Sequence, residues 1–142
     1  METITSVVAG VPLIVVSGDL DHESKHEVLG LLDQLFRVPD PPRALLVDVS
    51  DSAFIDSGGI TVLFSMLDRL PADGWLGLIG VASGPSRVLR YTGFLDHDKV
   101  RYFSSVDEAA VTLAAEKSLA RAQERVDRAE AARAQAKKSS VS

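Results

Sequence analysis

The chain has no cysteine, one tryptophan and few aromatic residues, 6% in all. Without cysteine there is no disulfide scaffold, no thiol nucleophile and no thiolate metal site. Such a chain suits a reducing compartment, and a cytoplasmic location is the expectation. Long apolar runs are missing too: none approaches the ~20 residues a helix needs to cross a bilayer. The first twenty residues hold Glu2 and Asp19 but no lysine or arginine, so the basic start of a secretory signal is not there. Residues 1–115 contain 16 acids against 8 lysines and arginines. An acidic body of this kind argues against direct contact with nucleic acid, which draws a basic face.

What is present is an ordinary globular composition. The 142 residues are 46% hydrophobic and 25% charged, enough for one domain to bury a core without covalent or metal staples. Residues 3–8 and 12–17 read as strands, the second rich in β-branched side chains, with Gly10-Val11-Pro12 as the turn between them. From Asp21 to Phe36 the period changes: Val28, Leu29, Leu32, Leu35 and Phe36 share one face of a helix. Pro39, Pro41 and Pro42 then impose a loop. Residues 44–49 and 75–81 are apolar runs of the kind found in strands covered on both faces. Between them, Ser57 to Leu70 is a second helix with Ile60, Leu63, Leu67 and Leu70 on one face. A short helix over 85–91, a strand over 100–103 and a last helix capped by Ser105, with Glu108 completing a capping box, finish the pattern.

The order β-β-α-β-α-β-α-β-α predicts an α/β domain with a mixed, mostly parallel sheet of four to five strands. Its expected extent is residues 1–115. Residues 116–142 differ: they carry 7 basic residues and 4 acids, are rich in alanine, and hold few large apolar side chains. They read as a helical to disordered tail, frayed from Lys137 onward.

The most informative stretch is Asp48-Val49-Ser50-Asp51-Ser52-Ala53-Phe54-Ile55-Asp56-Ser57-Gly58-Gly59-Ile60. A strand feeds a polar loop, the pair Phe54-Ile55 is expected to anchor that loop to the core, and Asp56-Ser57 opens a helix. There the backbone N–H groups lack partners and the helix dipole is positive, so an added phosphate is well tolerated. Gly58 and Gly59 each cost roughly 1 kcal/mol of helix propensity relative to alanine; what they provide is close approach by another chain's backbone. Taken alone, Asp56 or Ser57 reads as a simple N-cap and the glycines as packing residues.

Three motifs in register point further. Ile55-Asp56-Ser57-Gly58-Gly59-Ile60 resembles the Asp-Ser-Ser/Thr-Gly-Leu signature of anti-sigma factor antagonists of the STAS-domain family. Ser17-Gly18-Asp19-Leu20-Asp21-His22 resembles that family's Gly-Glu-Leu-Asp, and Val88-Leu89-Arg90-Tyr91-Thr92-Gly93-Phe94 its helix ending in Ser-Gly-Leu. The resemblance spans roughly residues 3 to 114 and implies a STAS-like fold with helices mainly on one face of the sheet. It implies a non-catalytic switch protein whose phosphorylated residue is Ser57, with Asp19, Asp21, Asp56, Ser57, Gly58 and Gly59 at the partner-binding surface. The implied partners are an anti-sigma factor that is itself a serine kinase, and a phosphatase that resets Ser57; no cofactor, metal or membrane is implied. One departure stands out: the usual second Ser/Thr is Gly58, which removes a neighbouring hydroxyl.

Other readings use the same residues. STAS-like domains also serve as scaffold or ligand-binding subunits of stress-signalling complexes. Asp19 and Asp21 are spaced like the nucleophile and acid of a small Mg-dependent phosphatase, although His22-Glu23-Ser24 follows where a threonine is expected. Ser57 as a hydrolase nucleophile needs Gly-x-Ser-x-Gly, and Ile55 stands at the first glycine. Its base would be His22, His26 or His97, none with an orienting partner legible in the sequence.

Overall fold

A computed structural model describes residues 3–140. The chain divides into two compact units, residues 1–109 and residues 110–142. In the first unit strands β1 (Thr3–Val8) and β2 (Val11–Val16) form a hairpin, followed by α1 (His22–Phe36), β3 (Ala44–Asp48), α2 (Ser57–Arg69), β4 (Trp75–Ile79), α3 (Ser83–Tyr91), a 3-10 turn at Phe94–Asp96 and β5 (Val100–Phe103). Helix α4 starts at Val106 and runs to Ser140, so the second unit is its continuation. The helix passes through Lys137, where fraying was expected; residues 141 and 142 lie outside the described ones.

The five strands lie in sequence order, β1 antiparallel to β2 and all later neighbours parallel. Three successive crossovers step the same way across the sheet, and right-handed crossovers then place α1, α2 and α3 on one face. That face carries Ile14, Val16, Leu45, Val47, Leu76 and Leu78, packed with Val28 and Leu32 of α1, Val62, Leu63 and Met66 of α2, Leu89 of α3 and Phe94. Phe64 meets Phe94 edge to face, centroids 5.2 Å apart. The alternate residues Leu13, Leu46, Ile79 and Phe103 are buried on the other face. There the Arg101 guanidinium sits 4.7 Å from the Trp75 ring and 5.2 Å from that of Phe103.

The hairpin turn keeps Gly10 but not Val11 or Pro12. Val8 pairs with Val11, so Ala9 and Gly10 alone make the turn, both with positive φ (49° and 83°), as a two-residue hairpin matched to strand twist requires. Pro12 lies within β2, opposite Val7. At the start of α4 the Glu108 N–H donates to Ser105 Oγ at 3.0 Å. The Glu108 carboxylate accepts from the Ser104 hydroxyl and N–H instead of the cap's own N–H. Those two Ser104 bonds, side chain first and backbone second, hold the Glu108 carboxyl below its usual range.

Candidate functional site

Strands β2 and β3 run parallel with Leu13 opposite Leu46 and Val15 opposite Asp48. Both chains leave the sheet at the same end, and their loops stay paired at nearly the same sequence offset. The Gly18 N–H donates to Asp51 Oδ2 at 2.7 Å, and Ser52 Oγ donates to the Gly18 carbonyl at 2.6 Å. Asp19 Oδ1 accepts from the N–H groups of Ala53 (3.0 Å) and Phe54 (3.1 Å). Leu20 and Ile55 form a parallel bridge, and the Asp56 N–H donates to the Leu20 carbonyl at 3.4 Å. Two polar loops are thus zipped together as an extension of the sheet, satisfying backbone groups that would otherwise need water.

The zipper ends at the first turns of two helices. Asp21 caps α1: its Oδ1 accepts from Glu23 N–H (3.1 Å) and Ser24 N–H (3.0 Å), while Ser24 Oγ accepts from Asp21 N–H at 2.9 Å. Asp56 caps α2, with Oδ1 accepting from Gly58 N–H (2.8 Å) and Gly59 N–H (3.1 Å) and Oδ2 from His22 N–H (3.3 Å). Desolvation, the largest single influence on this carboxyl, raises its pKa. The bonds from Gly59, His22 and Gly58 and the charge of His22 together outweigh it, and the net direction is downward. Asp56 therefore holds its negative charge firmly beside Ser57.

Ser57 is exposed, and its Oγ lies 3.2 Å from His22 Nε2. The two glycines beside it are buried. A Cβ on Gly59 would stand 2.1 Å from the Leu20 carbonyl oxygen, and one on Gly58 would stand 2.8 Å from His22 Nδ1 and 2.9 Å from its Cα. The space they leave is therefore filled by this chain's own β2–α1 loop, where the sequence had pointed to another chain's backbone.

The structure thus brings Asp19, Asp21, Asp56 and Ser57 together at one surface, with Gly58 and Gly59 buried beneath it, but the acids are engaged in it. Asp19 holds the β3–α2 loop and Asp21 caps a helix, each on different backbone groups. Among the described residues no cluster of three or more His, Asp or Glu is placed to hold a metal ion. Ile55 anchors the loop at 1% exposure, whereas Phe54, expected to anchor with it, is 56% exposed. Bridge pairing at Ile55 turns its neighbour outward. His26 is exposed, and His97 Nδ1 accepts from the Lys99 N–H at 3.2 Å and lies 3.4 Å from Asp98. His22, one of the three histidines weighed as a base for Ser57, is the one whose ring reaches it. The Nδ1 edge of its ring lies against Gly58, so the carboxylate that orients a catalytic histidine is replaced by a glycine.

Comparison with known proteins gives one family and one fold. A family described as "Mlab, STAS domain" matches residues 8–102. Among solved structures, an anti-sigma-factor antagonist (STAS) domain protein from Planctomyces limnophilus is 22% identical with a TM-score of 0.66, covering 79% of this chain and 97% of that one. The Bacillus cell fate determinant SpoIIAA in its phosphorylated form is 15% identical with a TM-score of 0.57, covering 72% of this chain and 92% of that one. A sulfate transporter family protein from Wolinella succinogenes is 22% identical with a TM-score of 0.61, covering 77% of this chain and 89% of that one. No curated protein sequence matches.

Proposed function

Because this chain belongs to the STAS-domain family, we propose that it acts as an anti-sigma factor antagonist whose switch residue is Ser57. The observation that carries the reading is the placement of Ser57. Its hydroxyl is exposed at the first turn of α2, one residue after a capping carboxylate and on a turn held rigidly by the zipped loops. A serine so placed is open to a kinase, while its backbone is fixed enough to form part of a binding surface.

In this scheme the unmodified chain binds an anti-sigma factor kinase through Ser57, Asp56, the exposed Phe54 and the rim formed by Asp19 and Asp21. Gly58 and Gly59 act from beneath by allowing the two loops to meet. Binding frees a sigma factor. The kinase then transfers phosphate from ATP to Ser57, the complex separates, and a phosphatase restores the hydroxyl. The catalytic groups of both reactions belong to the partners, and the cycle belongs in the cytoplasm. Phosphate adds about −1.5 to −2 charges. In the free chain water and the helix N-terminus offset that charge, whereas in a complex it is desolvated beside the ionised Asp56. A penalty of roughly 3 kcal/mol confined to the bound state weakens binding more than about 100-fold.

The test is titration against the cognate anti-sigma factor. Ser57→Ala should bind like the unmodified chain and resist release by ATP; Ser57→Asp should bind weakly while folding normally, since an acid suits the first helical turn. Equal affinity for Ser57→Asp and the unchanged chain, with no phosphate found on Ser57 after kinase treatment, removes the switch. A second reading is supported by the family description and by the transporter neighbour: the same surface serves as a fixed contact of a STAS subunit in a larger assembly. Under it Ser57→Ala and Ser57→Asp co-purify with the same partners.

A further inference from the structure

The one histidine that touches Ser57 does so through a side-chain bond spanning two helices. His22 is the first residue of α1 and Ser57 the first of α2, and their Nε2 and Oγ atoms are 3.2 Å apart. Both residues are exposed. The His22 main chain is fixed independently of its ring, through its N–H bond to Asp56 Oδ2 and the Asp21 cap on the same helix. The ring lies across Gly58, where any side chain would collide with it. Gly58 is also the position at which this chain departs from the Ser/Thr of the family signature. The missing hydroxyl and the histidine are thus linked: the ring occupies the room that a second hydroxyl would need.

We propose that His22 is the built-in counter-group of Ser57, fixing its hydroxyl in the unmodified chain and pairing as imidazolium with a phosphate carried on Ser57. This deepens the phospho-switch and rests on it for its role in the cell. A phosphate ester on Oγ places its oxygens within reach of Nε2, and an imidazolium N–H donating to one of them is a charge-assisted bond. The groups around the ring set its balance. Asp56 faces it from the α2 side and competes with the phosphate for the cation. Asp21, Glu23, Lys25 and His26 stand within about one turn on its own helix. Without His22 the phosphate would face Asp56 with water and the helix N-terminus alone to offset it. With His22 the modified free chain is stabilised internally, and an approaching partner must break that pair to reach the turn.

The experiment places phosphoserine at position 57 by genetically encoded incorporation, so that no kinase is needed, and follows its 31P resonance against pH. Free phosphoserine takes its second proton near pH 6. In the otherwise unchanged chain the midpoint should lie below that of the same chain carrying His22→Gln by at least about half a unit, a threshold set under the roughly 1–3 units that a close opposite charge gives. His22→Lys, which keeps a cation, should restore part of the shift. Melting curves of the three proteins should agree, because the ring is exposed and the helix cap is Asp21. Coincident midpoints for unchanged and His22→Gln protein would overturn the proposal. A shifted midpoint together with a kinase that leaves Ser57 unmodified would keep the pair and remove the cellular switch, so the two ideas fail separately.

Discussion

Six of the thirteen residues of α2 are buried, among them Gly58, Gly59, Leu63 and Met66. From Ala114 to Lys138 every side chain of α4 is exposed. Helix α2 has two glycines in its first turn, the poorest helix formers after proline, and distal α4 is built largely from alanine, arginine and glutamate, among the best. Packing holds α2 where propensity would not; propensity holds distal α4 where packing does not. The region that contradicts its local preference is the one that carries Ser57. Sequences accept such conflict where a site requires it.

The largest effect should come from closing the gap that the glycines keep open. Gly59→Val places a branched side chain where even a Cβ would stand 2.1 Å from the Leu20 carbonyl oxygen. Backbone cannot yield as a flexible side chain can, so the zipper must part. A loss of roughly 4 kcal/mol or more is expected, at the severe end for one substitution. Urea denaturation checks it, and a loss below about 1 kcal/mol would show that the two loops are not locked together.

Next comes a change that leaves the zipper alone and empties the core beneath it. Leu63 is fully buried in α2, and Leu63→Ala should cost about 2–5 kcal/mol. Its counterpart Leu119→Ala in α4 removes a side chain that is 70% exposed and should lie within about 0.5 kcal/mol of no change. Equal effects at the two leucines would erase the contrast between the helices.

A smaller effect, and one with a pH signature, is expected at Asp56. Its carboxyl titrates below the ordinary value of 3.8 in the folded chain. The ionised form therefore favours folding. That contribution is complete above about pH 4 and fades as acid protonates the folded carboxylate. Asp56→Asn keeps an acceptor for the glycine N–H groups but loses the charge. Its melting temperature should fall below that of the unchanged chain by roughly 2–5 °C at pH 7, and the gap should narrow toward pH 3. A gap that stays constant with pH would mean that the charge contributes nothing there.

Much of this was legible beforehand. Element order came from the switch between alternating, continuous and helical apolar spacing. Ser57 was placed at a helix start by Asp56 and the motif around it. What could not be read were contacts spanning 33 to 35 residues, such as Gly18 to Asp51 and His22 to Ser57. No local rule links such positions; the link is the parallel β2–β3 register, which fixes the loops only once the strands are aligned. The outward turn of Phe54 has the same origin, because the parity of the bridge at Leu20 and Ile55 decides it. Ala9 was missed, and Val11 and Pro12 were wrongly added to Gly10 in the turn, for a different reason. Pro12 looked like a turn residue, and alanine rarely takes positive φ.

The smallest expected effect is the most direct test of how α4 is held. Among the described residues the last buried one is Leu113. Removing residues 120–142 therefore deletes only exposed side chains among the described residues, together with backbone bonds within α4. Helical hydrogen bonds of this kind form and break locally, so the core should not register their loss. The shortened chain should melt within about 3 °C of the full one, a difference worth less than about 1 kcal/mol for a domain of this size. The far-ultraviolet helical signal should fall even though the melting temperature hardly moves. In the full chain, hydrogen exchange from about residue 118 onward should be fast and unrelated to global unfolding, while amides of α2 exchange only with the core. A drop of more than about 8 °C, or slow exchange at Leu119 and Val126, would show that distal α4 is held by burial after all and that alanine-rich composition has been mistaken for the cause of its helicity.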